Sequence, residues 1–203
     1  MEKVKAFCKR KNIEISVKRY LIDALGAMAQ GLFASLLIGT IISTLGTQLN
    51  IPILVTVGTY AKAAVGPAMA IAIGYALQAA PLVLFSLAAV GAAANELGGA
   101  GGPLAVLVVA IFAAEFGKAV SKETKIDIIV TPFVTIFVGV ALSIWWAPAI
   151  GAAASAVGNA IMWATELQPF FMGIIVSVIV GIALTPVSYT HLRAHETLAK
   201  LVC

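Results

Sequence analysis

Charged side chains are scarce in this sequence. They make up 11% of the 203 residues, whereas they form about a quarter of an ordinary water-soluble domain. Hydrophobic residues account for 61%, and the mean hydropathy is +1.04. A soluble globular domain is therefore excluded, and the composition predicts a protein embedded in a membrane.

Cysteine and histidine are nearly absent as well. The two cysteines are Cys8 and Cys203, and the two histidines, His191 and His195, lie near the end of the chain. So few and so scattered side chains provide neither a disulfide framework nor the spacing of a metal site. The glycine-rich stretch "GGAGGP" lacks the Lys-Ser/Thr pair of a phosphate-binding loop. We therefore expect no metal, no cofactor and no catalytic residue.

Five long stretches of the chain carry no charge. They are residues 24–61, 63–95, 97–114, 128–165 and 167–191. About 20 apolar residues cross a bilayer core, so each stretch holds at least one crossing. Glycine and proline interrupt several of them, which is typical of transporters whose broken helices line a cavity. The predicted fold is all-α, a polytopic transmembrane helix bundle of about six crossings with re-entrant or interfacial segments.

Basic residues are concentrated ahead of the first apolar run. Residues 1–20 hold seven of the thirteen Lys and Arg residues, and the net charge is +4. In a soluble protein this excess would suggest nucleic acid, but here it is an orientation signal, and no nucleic-acid partner is expected. We predict a cytoplasmic amphipathic leader on the lipid surface. The cluster at residues 118–125 is predicted to face the cytoplasm, and residues 47–50 and 95–102 to face outward.

The apolar stretches divide further at proline residues. Between residues 51 and 94 we expect two crossings, the second of them short or partly broken, because Pro67 and Pro81 divide this stretch. Residues 126–146 are predicted to form a crossing that ends in a tryptophan pair at the membrane interface. Residues 148–165 then read as a re-entrant or interfacial helix, and residues 169–184 as the last crossing.

The stretch "AEFGKAVSKETKIDIIVTPF" (residues 113–132) contains the first candidate site residues. Glu115 and Lys118 are three positions apart, so they share one helix face near the cytoplasmic end of a crossing. Ionised groups inside a membrane normally face a cavity or a partner, so Glu115 either binds substrate or joins a packing network, or it snorkels to the surface. Asp127 either contributes to the same site or caps the next helix.

A second candidate lies in "ANELGG", at a predicted external turn. Asn95 and Glu96 carry the amide and carboxylate groups that suit hydroxyl-rich ligands, because they accept and donate several hydrogen bonds. The alternative is a solvated turn. The predicted substrate-binding residues are thus Glu115, Asn95, Glu96 and Asp127.

Three stretches together resemble a known family. "KRKNIEISVKRYLIDALGAMAQGLFASLLIGTI", "AAANELGGAGGPLA" and "AEFGKAVSKETKIDIIVTPF" are similar to the membrane-embedded IIC subunits of the bacterial phosphoenolpyruvate-dependent sugar phosphotransferase system. The resemblance is to a divergent branch that also includes membrane-bound regulators of toxin genes. It runs from Lys3 to Thr185, and the family's membrane domain is longer, so residues 21–185 are expected to be an N-terminal portion of it.

The resemblance implies a function and partners. The membrane protein would hold a sugar-like small molecule in the bacterial cytoplasmic membrane while cytoplasmic IIB and IIA proteins supply the phosphoryl group. Any phosphotransferase chemistry would then belong mainly to the IIB partner, and a homodimer is compatible with the resemblance. Two alternatives remain open: a membrane-bound sensor or regulator that keeps the IIC-like fold, and an unrelated secondary transporter.

The last residues depart from the family. Residues 186–203, "PVSYTHLRAHETLAKLVC", turn polar where an apolar helix should continue. They resemble translated adapter or vector sequence, so we predict a non-native tail; the alternative is a short amphipathic surface helix. Both histidines lie in this segment, and neither is assigned as a phosphoryl acceptor.

Overall fold

The structure is a computed structural model that describes residues 10, 11, 13, 16, 18–123, 126–166, 173, 177 and 178. All regular secondary structure in that part of the chain is helical. The all-α prediction is therefore confirmed. The predicted last crossing (169–184), the tail (186–203) and most of the leader fall outside the described residues.

Six helices form the described bundle. Helix α1 is Lys18–Gln48, and it includes π-helical turns at Lys18–Asp23 and Phe33–Leu37. The others are α2 (Pro52–Ala63), α3 (Val65–Ala76), α4 (Pro81–Gly98), α5 (Gly102–Val120) and α6 (Asp127–Glu166). Proline stands at the start of α2 and α4 and within the first two positions of α5, where a missing N–H costs no intrahelical hydrogen bond.

Helices α2 and α3 together run back along α1 as one bent crossing. A Cβ atom on Gly46 would lie 2.7 Å from the backbone nitrogen of Val55, and one on Gly31 would lie 2.8 Å from the Cα of Met69. These contacts show an antiparallel pair whose backbones approach closely because the residues between them are small. The two helices meet at an angle of 47°. Pro67 explains the break, since it has no N–H to bond to the carbonyl of residue 63.

The position of this break corrects one expectation. We expected the second crossing between residues 51 and 94 to be short or broken, but the bend lies in the first, and the second, α4, is continuous. Pro81 does not break a helix because it stands at the N-terminus of α4.

Helices α4 and α5 form a hairpin. A Cβ atom on Gly117, near the end of α5, would lie 2.7 Å from the side chain of Val83, near the start of α4. The chain reverses at Gly99, whose φ of 49° suits glycine. The apolar run of 40 residues from Pro81 to Val120 is therefore two crossings, each about 27 Å long at 1.5 Å per residue, close to the thickness of a bilayer core.

Helix α6 packs along this hairpin and continues past it. Its 40 residues include Pro132 and Pro148, and neither ends the helix. Residues 148–165 were predicted to form a re-entrant or interfacial helix; in the structure they continue α6, and Pro148 lies inside that helix. The carbonyl oxygen of Ala147 lies about level with Gly98. The tryptophan pair just before Ala147 consequently stands at the hairpin's turn, where a membrane interface was predicted.

The core of the bundle lies between α3, α4 and α5. Met69, Ile73, Leu87, Val90 and Val109 are among its fully buried side chains. Large apolar residues such as Tyr75, Phe85 and Trp145 point outward instead. This apolar exterior is what lipid contact requires and what a water-soluble protein avoids.

By length and composition, three apolar helical runs in the described residues could cross a membrane, and a fourth is the bent pair α2 and α3. With the α4–α5 hairpin counted as two segments, the described part has five candidate crossings. The expected number was about six, and the last predicted crossing lies outside the described residues.

The bundle has two distinct ends. The basic end comprises Arg10, Lys11, the α3–α4 turn and residues 118–123, 126 and 127; the glycine end comprises residues 95–102. Arg10 and Lys11 each contact Glu123 at 2.7 Å, which joins the leader to the α5–α6 loop. The two segments predicted to face the cytoplasm therefore meet at one end, and the outward turn predicted at residues 95–102 lies at the other.

Candidate functional site

A buried ion pair in α5 is the centre of the candidate site. The Lys118 ammonium donates a hydrogen bond to Oε1 of Glu115 at 2.9 Å. The Lys118 side chain is 3% exposed and that of Glu115 15%. The predicted spacing on one helix face is confirmed, and the Glu115 carboxylate faces Lys118 within the bundle instead of extending into water.

Lys118 also reaches the end of α3. Its ammonium donates to the carbonyl oxygen of Leu77 at 3.2 Å, and the Arg19 guanidinium donates to the same oxygen at 2.7 Å. Carbonyls at a helix C-terminus lack intrahelical partners and carry the negative end of the helix dipole. Two cations, one from α1 and one from α5, therefore stabilise the C-terminus of α3.

Sequence reasoning missed this convergence. Arg19 was counted only as part of the basic leader, and Leu77 carries no polar side chain that could mark it. A backbone carbonyl has no signature in sequence, so its partners become visible only when the helices are packed together.

Glu115 keeps one oxygen unused. Its Oε2 is the single buried side-chain nitrogen or oxygen without a hydrogen-bond partner in the described part of the chain. A buried polar atom left without a partner costs about 1–3 kcal/mol, and more for a charged group. This atom is therefore available to a hydroxyl donor that enters the bundle.

Asn95 and Glu96 lie at the glycine end, away from Glu115. Asn95 is half-buried, and Cβ atoms built on Gly66 and Gly102 would lie 2.8 and 2.6 Å from its side chain. Glu96 is exposed. From the start of α5 to Glu115 the helix rises by about 20 Å. One monosaccharide cannot span that distance, so the predicted site residues divide between two ends.

Asp127 holds the α5–α6 loop. Its Oδ1 accepts hydrogen bonds from the Thr131 hydroxyl at 2.5 Å and from the backbone N–H of Lys122 at 2.7 Å. Lys122 has a φ of 62°, a conformation that non-glycine residues adopt only when neighbouring contacts hold it. Neither hydrogen bond comes from a backbone N–H of α6, so the predicted helix cap is not observed, and both contacts instead engage Asp127 in holding the loop.

A family model described as "Phosphotransferase system, EIIC" matches residues 22–192. The matched range begins within α1 and includes α2 to α6. Neither a curated protein nor a solved structure matches the chain.

Proposed function

We propose that this chain holds a sugar within the membrane while a cytoplasmic partner phosphorylates it. The chain belongs to the phosphotransferase system EIIC family, the sugar-translocating membrane subunits of that system. Members of the family act on a sugar and work with cytoplasmic IIB proteins. The match over residues 22–192 is the observation that carries the assignment.

The proposed location is the bacterial cytoplasmic membrane, with the N-terminus and the basic end in the cytoplasm. Arg10, Lys11, Lys118 and Lys122 all lie at that end, and cytoplasmic loops are the ones enriched in Lys and Arg. The leader at residues 1–20 would then lie against anionic lipid.

Glu115 is the proposed sugar ligand. Its Oε2 has no partner among the described residues, while Lys118 holds its other oxygen. A sugar hydroxyl is a suitable donor for the unused oxygen, because a carboxylate accepts several hydrogen bonds. Asn95 and Glu96, at the opposite end of the bundle, would meet the sugar earlier on its path inward.

The phosphoryl group would come from a cytoplasmic IIB partner, itself charged by a IIA protein. It would pass to a hydroxyl oxygen of the sugar, and the hydroxyl proton would be released. The role of this chain is to position the sugar, so we assign it no catalytic residue. Transporter sites form between bundle halves, and we propose that the cavity is completed within a homodimer.

The test is uptake of labelled sugars by cells that express the complete reading frame, with and without the general phosphotransferase components. We expect phosphorylated sugar to accumulate only when those components are present. Cells with an empty vector are the control. Absence of uptake for every sugar, together with altered transcription of neighbouring genes on deletion, would instead establish the sensor or regulator with a IIC-like fold. Uptake without phosphorylation would establish a secondary transporter.

A further inference from the structure

A cavity of about 460 Å³ opens at the basic end of the bundle. Its charged lining comes from three separate parts of the chain: the leader, the end of α5 and the α5–α6 loop. These residues are Arg10, Lys11, Lys118, Lys122 and Glu123. The volume lies within the range of small-molecule sites, about 300–1,000 Å³.

Positive charge dominates the lining. Four cations face one carboxylate, that of Glu123. Two further carboxylates contact lining residues without lining the cavity themselves. Glu115 pairs with Lys118, and Asp127 accepts a hydrogen bond from the backbone N–H of Lys122. Cations still outnumber carboxylates when both are included. Among the described residues the four cations face three carboxylates in all, so the net charge around the cavity is positive and favours an anionic ligand.

The start of α4 adds to this field. Ala80 and Pro81, the residues at which α4 begins, also line the cavity. The first N–H groups of a helix lack intrahelical partners and carry the positive end of its dipole. Phosphate groups bind at such ends. Here the dipole adds to the cations that already define the cavity.

The lining cations differ in how they are engaged. Glu123 holds Arg10 and Lys11 at the rim, and Lys11 also donates to the carbonyl of Ser121. Lys122 is exposed, and its charge acts on the nearby Asp127 carboxylate. The backbone of Lys122 is also held by Asp127. The loop therefore presents a cation at a defined place for an incoming ligand.

We propose that this cavity binds the phosphate group of a small phosphorylated ligand. An Arg fork, lysine ammonium groups and a helix N-terminus are the groups that recognise phosphate, and the cavity leaves room for the remainder of an ester. The phosphate could belong to a sugar phosphate, to an anionic lipid headgroup or to free phosphate. A sugar phosphate is the product of the proposed function, so this part of the inference rests on that function; binding of a lipid headgroup or of free phosphate would go beyond it.

Binding is measured by calorimetry on the purified chain in neutral detergent, so that failure of transport does not affect the result. The probes are inorganic phosphate, glucose 6-phosphate and a short-chain phosphatidylglycerol. Glucose and a short-chain phosphatidylcholine are the matched controls. We expect at least one probe to bind more tightly than its control and more weakly at high salt. The probe that binds most tightly identifies the source of the phosphate.

Variants test the location of the site. Lys122→Gln and Arg10→Gln should each weaken binding by about tenfold, the loss of roughly one charge-assisted hydrogen bond. Lys62→Gln removes a cation from α2 and should leave binding unchanged. Glu123→Gln removes the acidic group of the lining and should tighten binding, a gain that a damaged fold would not produce. If no probe binds, or if Lys122→Gln and Glu123→Gln both bind as the parent does, the proposal is wrong.

Discussion

Arg19 and Lys118 donate hydrogen bonds to one carbonyl oxygen, that of Leu77, at 2.7 and 3.2 Å. This contact ties the start of α1, the end of α3 and the end of α5 together at the basic end. Lys118 also pairs with Glu115, so the residue proposed to bind sugar is linked through Lys118 to the contact at the Leu77 carbonyl. Substitutions here should therefore affect stability and ligand binding in separable ways.

Replacing Lys118 should destabilise the bundle. Lys118→Met leaves the Glu115 carboxylate buried without its cation, which costs about 3 kcal/mol by analogy with broken buried pairs. Thermal unfolding in detergent measures the loss. The double variant Lys118→Met with Glu115→Gln should recover part of it, because no unpaired charge remains. A single variant that unfolds at the parent's temperature would show that the pair contributes nothing.

Replacing Glu115 should affect sugar binding more than it affects stability. Glu115→Gln keeps the shape of the side chain but replaces the carboxylate with an amide. The position of Oε2 is then taken by an NH2 group or by a neutral oxygen that accepts more weakly, so the affinity for sugar should fall about tenfold, equivalent to about 1.4 kcal/mol. Asp23→Asn is the control, since Asp23 is an exposed carboxylate of α1. Asn95→Ala and Glu96→Gln should have smaller effects. Equal sugar affinity in parent and Glu115→Gln would remove Glu115 from the site.

The contact between the leader and the α5–α6 loop should be lost in acid. The hydrogen bond from Lys11, with the charge of Arg10, lowers the pKa of Glu123 below its ordinary 4.5. A group whose pKa is lowered on folding contributes stability above its unfolded pKa, and this is lost as pH falls through the folded value. The contact should therefore persist from neutral pH to about 4.5 and weaken only below it.

The distance between the leader and the α5–α6 loop can be measured with spin labels at positions 13 and 121 in a Cys8-free background. In Glu123→Gln the distance distribution should not change over the same pH range, because the titrating group is gone. A parent distance that already changes between pH 7 and pH 5 would contradict the assignment to Glu123.

Close packing of α3 against α4 should make two glycines intolerant of substitution. A Cβ atom on Gly66 or Gly91 would overlap the backbone of the other helix, so alanine at either position should cost about 1–3 kcal/mol in overpacking. Gly158→Ala is the matched control in α6, where a Cβ atom meets nothing within 4 Å. Thermal unfolding of the three variants is the measurement. Equal stability of Gly66→Ala and Gly158→Ala would contradict the observed packing.

Orientation can be tested in intact cells. Single cysteines at positions 48 and 122 in a Cys8-free background should react differently with an impermeant reagent, because position 48 is proposed to face outward and position 122 the cytoplasm. Position 48 should be labelled in intact cells, and position 122 only after permeabilisation. Equal labelling at both positions would reject the proposed topology.

The class of this protein and the grouping of its charges were readable from sequence. Apolar stretches of at least 18 residues have few alternatives to a membrane crossing. The spacing of Glu115 and Lys118 was likewise enough to predict their shared face, because the geometry of an α-helix is local. The positions of the helix breaks could not be predicted from the sequence. Pro148 stays within α6 and Pro67 bends α2 against α3, because packed neighbours decide whether a proline interrupts a helix.

The sequence by itself determined an apolar helical bundle with basic residues gathered at a few places along the chain, since hydropathy and helix periodicity are local properties. Only the tertiary structure decided which groups meet. It brought Arg19 and Lys118 to the Leu77 carbonyl across 58 and 41 positions of chain, and it separated Asn95 from Glu115. Such contacts depend on how helices distant in sequence pack, and on backbone atoms that every residue shares, so no local pattern specifies them.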